Sequence, residues 1–285
     1  MSSNVVYPSS FNSKKITFSV PKQLPSGAKQ SYLNYDSQRL VMQTSVSMTI
    51  PFGLNVADKF GPAEYSVELS FRGFDQRPEV KEFMDVISQI DEKLLEEGVK
   101  HSKTWFKGDL SRDVVKAFYT PSLKYSKDKE GNVLSYPPNI KLKLRKINNE
   151  FETKFYDING NAYKDIPVED LLVKGVQATA IIECAGVWFA GSKFGLTWRA
   201  KQIAIHKLPE KIADFAFKGL SSVKEPTETK GETKVETKVE TEEIDDDEVF
   251  KQNVLESVMP DEEDDLEPAP VPKKMVVKKK VITKK

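Results

Sequence analysis

The chain is poor in the residues that most enzymatic reactions need. Among 285 residues it has one cysteine, Cys184, and two histidines, His101 and His206. A single cysteine excludes a disulfide framework and a cysteine-based metal cluster. Neither histidine belongs to an HExxH helix, and no nucleophile-elbow pattern occurs. Residues 186–193 are glycine-containing but lack the Gly-Lys-Ser/Thr ending of a phosphate-binding loop. No apolar run approaches the roughly 20 residues needed to span a bilayer. The start, MSSNVVYPSS, has neither a charged nor an apolar leader region. The expectation is a soluble, intracellular, non-catalytic protein with no catalytic residues, cofactor, metal or membrane contact.

Charge is present in equal amounts of both signs but is unevenly placed. Residues 1–220 carry 31 Lys and Arg against 25 Asp and Glu. Residues 221–268 carry 5 against 18, and the last seventeen carry 7 Lys and no acid. Neutrality is therefore a cancellation between a mildly basic body, an acidic tail and a basic tip. The tail contains the repeat GETKVETKVETE and the runs IDDDEVF and PDEEDDLEP. Such segments cannot bury enough apolar surface to offset the entropy of ordering. The sequence thus divides into a loosely ordered N-terminal arm (1–38), a body (39–220) and a disordered acidic tail with a basic tip (221–285).

Within the body the periodicity is mainly that of strands. Residues 40–50 alternate, with Leu40, Met42, Val46, Met48 and Ile50 on one face. Residues 64–71 repeat the pattern with Tyr65, Val67, Leu69 and Phe71. Asp75, Pro78 and Glu79 are suited to a helix start, and Phe83, Ile87, Ile90 and Leu94 follow at helical spacing. A helix of about 20–25 residues is expected from Pro78, and a shorter one over 111–119. Strands return at Asn139, where Ile140, Leu142 and Leu144 alternate with Lys141, Lys143 and Arg145. Asn148-Asn149 and Asn159-Gly160 read as turns. Short strands interrupted by a helix point to a mainly β fold, a small barrel or sandwich.

The stretch 175–207, GVQATAIIECAGVWFAGSKFGLTWRAKQIAIHK, stands out. It reads as two strands joined through a glycine-rich turn spanning 186–195. Trp188, Phe189, Lys193, Phe194, Trp198, Arg199 and Lys201 fall within fourteen positions. Aromatic faces stack on unpaired bases while nearby cations neutralise phosphates. Large alternating aromatics also build cores, and Trp198, in phase with Leu196 and Ala200, is expected inside. Arg199 and Lys201 would then face solvent. Trp188, Phe189 and Phe194 flank the turn, where core and binding platform both remain open readings.

The order of these features resembles the replication single-stranded DNA-binding proteins of tailed bacteriophages. The residues that carry the likeness are the strand ending Ile50-Pro51, the helix after Asp75, DING at 157–160, DIPV at 165–168, the tryptophan-bearing strand pair and the acidic tail. GVWFAGSKFGLTWRAKQIAIHK also resembles a group found in nucleocytoplasmic large DNA viruses. The resemblance, covering about residues 40–250, implies an OB-fold-like five-stranded barrel with an inserted helix. It implies sequence-independent binding of single-stranded DNA in viral replication and recombination. By position, the groove would use Lys141, Lys143, Arg145, Trp188, Phe189, Lys193, Phe194, Arg199 and Lys201. The tail, through Asp245, Asp246, Asp247, Glu248 and Phe250, would modulate DNA access and recruit a viral DNA polymerase and a helicase or primase. The phage tails end in acidic residues and an aromatic, whereas this chain ends KKKVITKK, leaving Phe250 as an internal substitute. A homodimer is compatible with this picture, as is location in the host cytoplasm, viral factory, nucleus or virion. Two other classes stay open: a virion structural or scaffold protein, and an RNA-binding regulator.

Overall fold

The computed structural model describes residues 4–208 except 25, 26, 60 and 165. The acidic tail and its candidate residues 245–248 and 250 lie outside the described residues.

The strands and helices used below follow in chain order. They are β1 (Ile16–Phe18), β2 (Lys29–Ser31), β3 (Leu33–Tyr35), β4 (Val41–Gln43), β5 (Met48–Thr49) and β6 (Glu64–Ser70). Then come α1 (Pro78–Lys100), α2 (Ser102–Phe106), α3 (Arg112–Phe118), β7 (Tyr119–Thr120), β8 (Leu123–Lys124) and β9 (Asn139–Leu144). The last are β10 (Lys154–Asp157), β11 (Gln177–Ala190) and β12 (Lys193–Lys207). The described chain is therefore mostly β with few helices.

Hydrogen-bonded neighbours form a circuit. β11 pairs with β5, β5 with β6, β6 with β9, β9 with β12, and β12 returns to β11. The joints differ in extent. β6 and β9 share six residue pairs from Tyr65↔Leu144 to Ser70↔Asn139. The β5–β6 joint rests on Ser70↔Thr49 and the parallel β9–β12 joint on Lys143↔Arg199. The main core includes Met42, Val67, Leu69, Ile140, Leu142, Ala180, Ile182 and Ile203, all at most 1% exposed. They come from strands of period two, so their neighbours in sequence face outward.

α1 runs over 23 residues and begins, as expected, at Pro78. Its residues Phe83, Ile87, Ile90 and Leu94 are fully buried, one stripe of a 3.6-residue period. Phe83 stacks on Phe71 with ring centroids 5.3 Å apart, fixing the helix to the end of β6. Asp75 does not cap the helix: the N-cap is Arg77, without a side-chain cap. The shorter helix is present as α3, and α2 is an addition to the expected elements.

Three further expectations are corrected. The strand over 40–50 is broken after Gln43, with Ser47 at φ 53°. Val46 is consequently 48% exposed, while Leu40, Met42, Met48 and Ile50 keep their buried phase. Thr44 stays tied to β11, its amide donating to the Ala180 carbonyl and its Oγ1 accepting from the Ala180 amide. The N-terminal arm is not loose over its described residues. β1 pairs with β3, β2 pairs with β11, and Ile16, Leu33 and Tyr35 enter the main core. Finally, the turn is not a glycine-rich loop over 186–195. Strand pairing runs through to Ala190↔Lys193, leaving only Gly191 and Ser192 as the connection.

Candidate nucleic-acid interface

That long pairing decides where each aromatic goes. Directly opposed residues of an antiparallel pair share a face, and successive residues alternate. Phe189 faces Phe194 on one side of the hairpin, and Trp188 faces Gly195 on the other. The two sides have different fates. Phe189 is 8% exposed and Phe194 fully buried, stacked at 6.1 Å. Around them close Trp105 and Phe106 of α2, which lie 5.4 Å from Phe189 and 5.0 Å from Phe194 respectively, and Tyr119, 5.2 Å from Phe194. α1 comes in close, since Gly98 presents no side chain and a Cβ there would stand 3.4 Å from Phe194 Cζ. Of the two readings left open for these phenylalanines, burial favours the core. The helices cover the hairpin tip and make it a second hydrophobic cluster.

Trp188, on the other side, is half-buried and opens to solvent. Its indole lies over Gly195, the only residue type that leaves the space. A Cβ at 195 would be 2.9 Å from Trp188 Cζ2. The ring forms part of a groove lined also by Thr120, Ser122, Lys124, Lys141, Lys143, Leu196, Thr197 and Trp198. Trp198 makes the floor. It is 2% exposed, as expected, and its Nε1 donates to Ser122 Oγ at 3.0 Å. Ser122 in turn donates its amide to Asp91 Oδ2 of α1 at 2.9 Å. The floor is thus fastened to the helix beneath it through a buried polar chain.

The structure therefore brings Trp188, Lys141 and Lys143 together, from the two stretches singled out in the sequence. Lys143 is partly shielded, with Nζ 3.4 Å from Glu64 Oε2. Arg145 lies beyond them on the same strand face and pairs with Glu152 at 3.7 Å. Lys124 is an addition: β8 pairs with β9 through Leu123↔Ile140 and Lys124↔Asn139, placing this lysine beside the Lys141 row. A two-residue strand has no readable period, so nothing in its sequence marked it.

The remaining predicted cations are elsewhere. Arg199 is only 7% exposed, against the expectation that it faces solvent. It sits mid-sheet between Glu183 on β11 and Lys143 on β9, so both flanks are occupied. Lys201 is exposed and bridges to Glu183 at 3.4 Å, which also holds Arg39 at 3.8 Å. Lys193 Nζ donates to the Ala117 carbonyl at the end of α3. Neither Lys193 nor Lys201 lines the groove.

Other polar chemistry among the described residues is structural. His206 Nε2 meets Thr179 Oγ1 at 2.7 Å and His101 pairs with Glu97 at 3.2 Å. Burial pushes the Cys184 thiol up to about 12, so it stays protonated and inert. No group of three His, Cys, Asp or Glu among the described residues could hold a metal ion. What the groove can do is bind. An indole face supplies stacking, three ammonium groups supply attraction for phosphate, and hydroxyls of Thr120 and Thr197 supply hydrogen bonds.

No curated protein matches the chain. Among solved structures, it is similar to gp2.5, a single-stranded DNA-binding protein encoded by bacteriophage T7. That match has 12% identity and a TM-score of 0.39, covering 63% of this chain and 98% of the other. It is also similar to the single-stranded DNA-binding protein of bacteriophage Enc34 in complex with single-stranded DNA. There the identity is 14% and the TM-score 0.32, covering 67% and 92%. Residues 75–218, just over half of the chain, match the model of a family described as being of unknown function, DUF5871. The chain belongs to that family.

Proposed function

We propose that this protein binds single-stranded DNA without reading its sequence, in a groove of an OB-like barrel. The observation that carries the reading is the convergence of Trp188 with Lys124, Lys141 and Lys143 on one solvent-facing groove. An indole stacks on any base, and each such contact contributes roughly 1–3 kcal/mol. Lysine contacts to phosphate are likewise indifferent to sequence and weaken as salt rises. The circuit of five paired strands, capped by α1, is the scaffold on which the groove is built.

The role that fits is coating of unwound strands during viral DNA replication and recombination, inside the infected cell. The acidic tail is a tethered polyanion that competes with DNA for the lysines. A tethered competitor can act at an effective concentration in the millimolar range. Once displaced, its acidic run and Phe250 are available to replication partners.

A titration of the intrinsic tryptophan fluorescence with oligo-dT, duplex DNA and oligo-U, at two salt concentrations, tests the reading. Binding of oligo-dT should be tightest and should weaken steeply with salt. Equal affinity for duplex would point to a structural protein instead, and tighter binding of oligo-U to an RNA-binding one.

A further inference from the structure

We infer that the hairpin over 125–136 extends the groove, with Tyr125 and Tyr136 as two further stacking faces for the same DNA strand. This rests on the single-stranded DNA reading and adds a subsite to it. Tyr125 is 46% exposed and Tyr136 65% exposed. They stand at the two ends of one excursion that leaves β8 and re-enters at β9. Tyr125 directly follows Lys124, which lines the groove. Tyr136 lies three residues before Asn139, and Lys124 and Asn139 are register partners. The chain therefore leaves and re-enters the sheet where the lysine row of the groove ends, with an exposed tyrosine at each side of the excursion.

The excursion is built, not loose. Lys127 and Val133 form a bridge, and the Leu134 amide donates to the Ser126 carbonyl at 2.8 Å. The Asp128 amide donates to the Asn132 carbonyl at 2.9 Å, and Gly131 turns the chain at φ +88°. An ordered hairpin holds its two exposed tyrosines at fixed positions, so a strand reaching them meets rings that are already in place. Its charge is balanced, Lys127 and Lys129 standing against Asp128 and Glu130. Lys127 and Lys129 are exposed. Of the acids, Glu130 is exposed and Asp128 ties the turn, its carboxylate accepting from the Asn132 amide at 2.7 Å and from Asn132 Nδ2 at 2.9 Å. These hydrogen bonds lower its pKa, so it is held as a turn former. Val133 and Leu134, also exposed, give the hairpin an apolar flank for base edges.

The inference predicts a length dependence. OB-type sites span about 4–16 nucleotides. An oligo-dT of about 6 nucleotides fills the groove alone, and one of about 16 reaches the hairpin. Replacing Tyr125 and Tyr136 together by Ala should weaken the longer oligonucleotide roughly tenfold or more and leave the shorter one unchanged. The corresponding Tyr→Phe pair, which keeps both rings, should restore affinity for the longer one. A Trp188→Ala control should weaken both lengths. If the double Ala variant binds both lengths as the parent does while Trp188→Ala weakens them, the hairpin inference fails and the groove reading stands. If Trp188→Ala changes neither, the groove reading itself fails. Thermal melting checks that the variants are folded, and both tyrosines being exposed predicts unchanged midpoints.

Discussion

The indole of Trp188 and the α-carbon of Gly195 are cross-strand partners in contact, with no room for a side chain between them. A Cβ at 195 would also stand 2.9 Å from the Thr120 carbonyl, which is backbone and cannot yield. Gly195→Ala should therefore push the indole out of the groove and strain the β7–β12 contact. The expected cost is about 1–3 kcal/mol of stability, with a shifted tryptophan emission maximum and weaker DNA binding. Urea denaturation and an emission spectrum check it, and an unchanged spectrum would show that the ring does not depend on this glycine.

Trp188 and Phe194 separate binding from folding. Trp188→Ala should weaken single-stranded DNA of every sequence, by roughly 1–3 kcal/mol, with little loss of stability. Phe194→Ala leaves a hole among Trp105, Phe106 and Tyr119 and should cost about 3–5 kcal/mol of stability. Folded Phe194→Ala protein should bind DNA much as the parent does. Paired denaturation and binding curves for both variants decide the assignment. The reverse pattern would place the platform on the other side of the hairpin.

Asp91 gives a pH signature. Burial pushes its carboxyl up to about 6, against the opposing hydrogen bond from the Ser122 amide. The neighbouring Tyr119 hydroxyl and Cys184 thiol are themselves raised by burial and stay neutral. In the unfolded chain the carboxyl ionises near 4. Between about pH 4 and 6 the folded protein therefore holds a proton that the unfolded chain has lost. This group's stability contribution is full below pH 4, falls as pH rises through that window and levels off above 6. The drop amounts to roughly 3 kcal/mol. Asp91→Asn keeps an acceptor for the Ser122 amide and removes the titration, so its stability should not show this drop. Urea midpoints of parent and variant at pH 4.5 and 7.5 test it, and equal changes in both would remove Asp91 as the source.

Removing residues 221–285 deletes 18 acids and 12 lysines, a net of six negative charges. If the tail occupies the groove in cis, the truncated protein should bind oligo-dT more tightly. Its affinity should also fall more steeply with added salt, because DNA phosphates then displace counterions rather than the tail. Unchanged or weaker binding at low salt would refute competition by the tail.

The main elements were legible where burial is one-sided. α1 and β6 could be read because one face of each meets the core and the other meets water, which writes a period into the sequence. Lys141 and Lys143 followed from the same alternation on β9. The hairpin aromatics were harder, since Trp188, Phe189 and Phe194 look alike by composition. Their fates depend on a register that pairs Phe189 with Phe194, and on α2 and α3, which arrive from eighty residues earlier in the chain. Trp105, Phe106 and Phe118 were visible as aromatics, but nothing local says what they cover. Arg199 shows the limit of alternation: the period put it on the outward face, yet that face lies between two other strands. Lys124 sits on a strand too short for any pattern.

The 177–207 strand pair also carries a thermodynamic consequence. Its proximal half supplies Ala178, Ala180, Ile182, Ile203 and Ile205 to the main core, and its tip supplies Val187, Phe189 and Phe194 to the helical cluster. One continuous pair of backbones thus serves as a beam common to both clusters. Neither can melt without stripping partners from the other, so heat should unfold the body in a single cooperative transition.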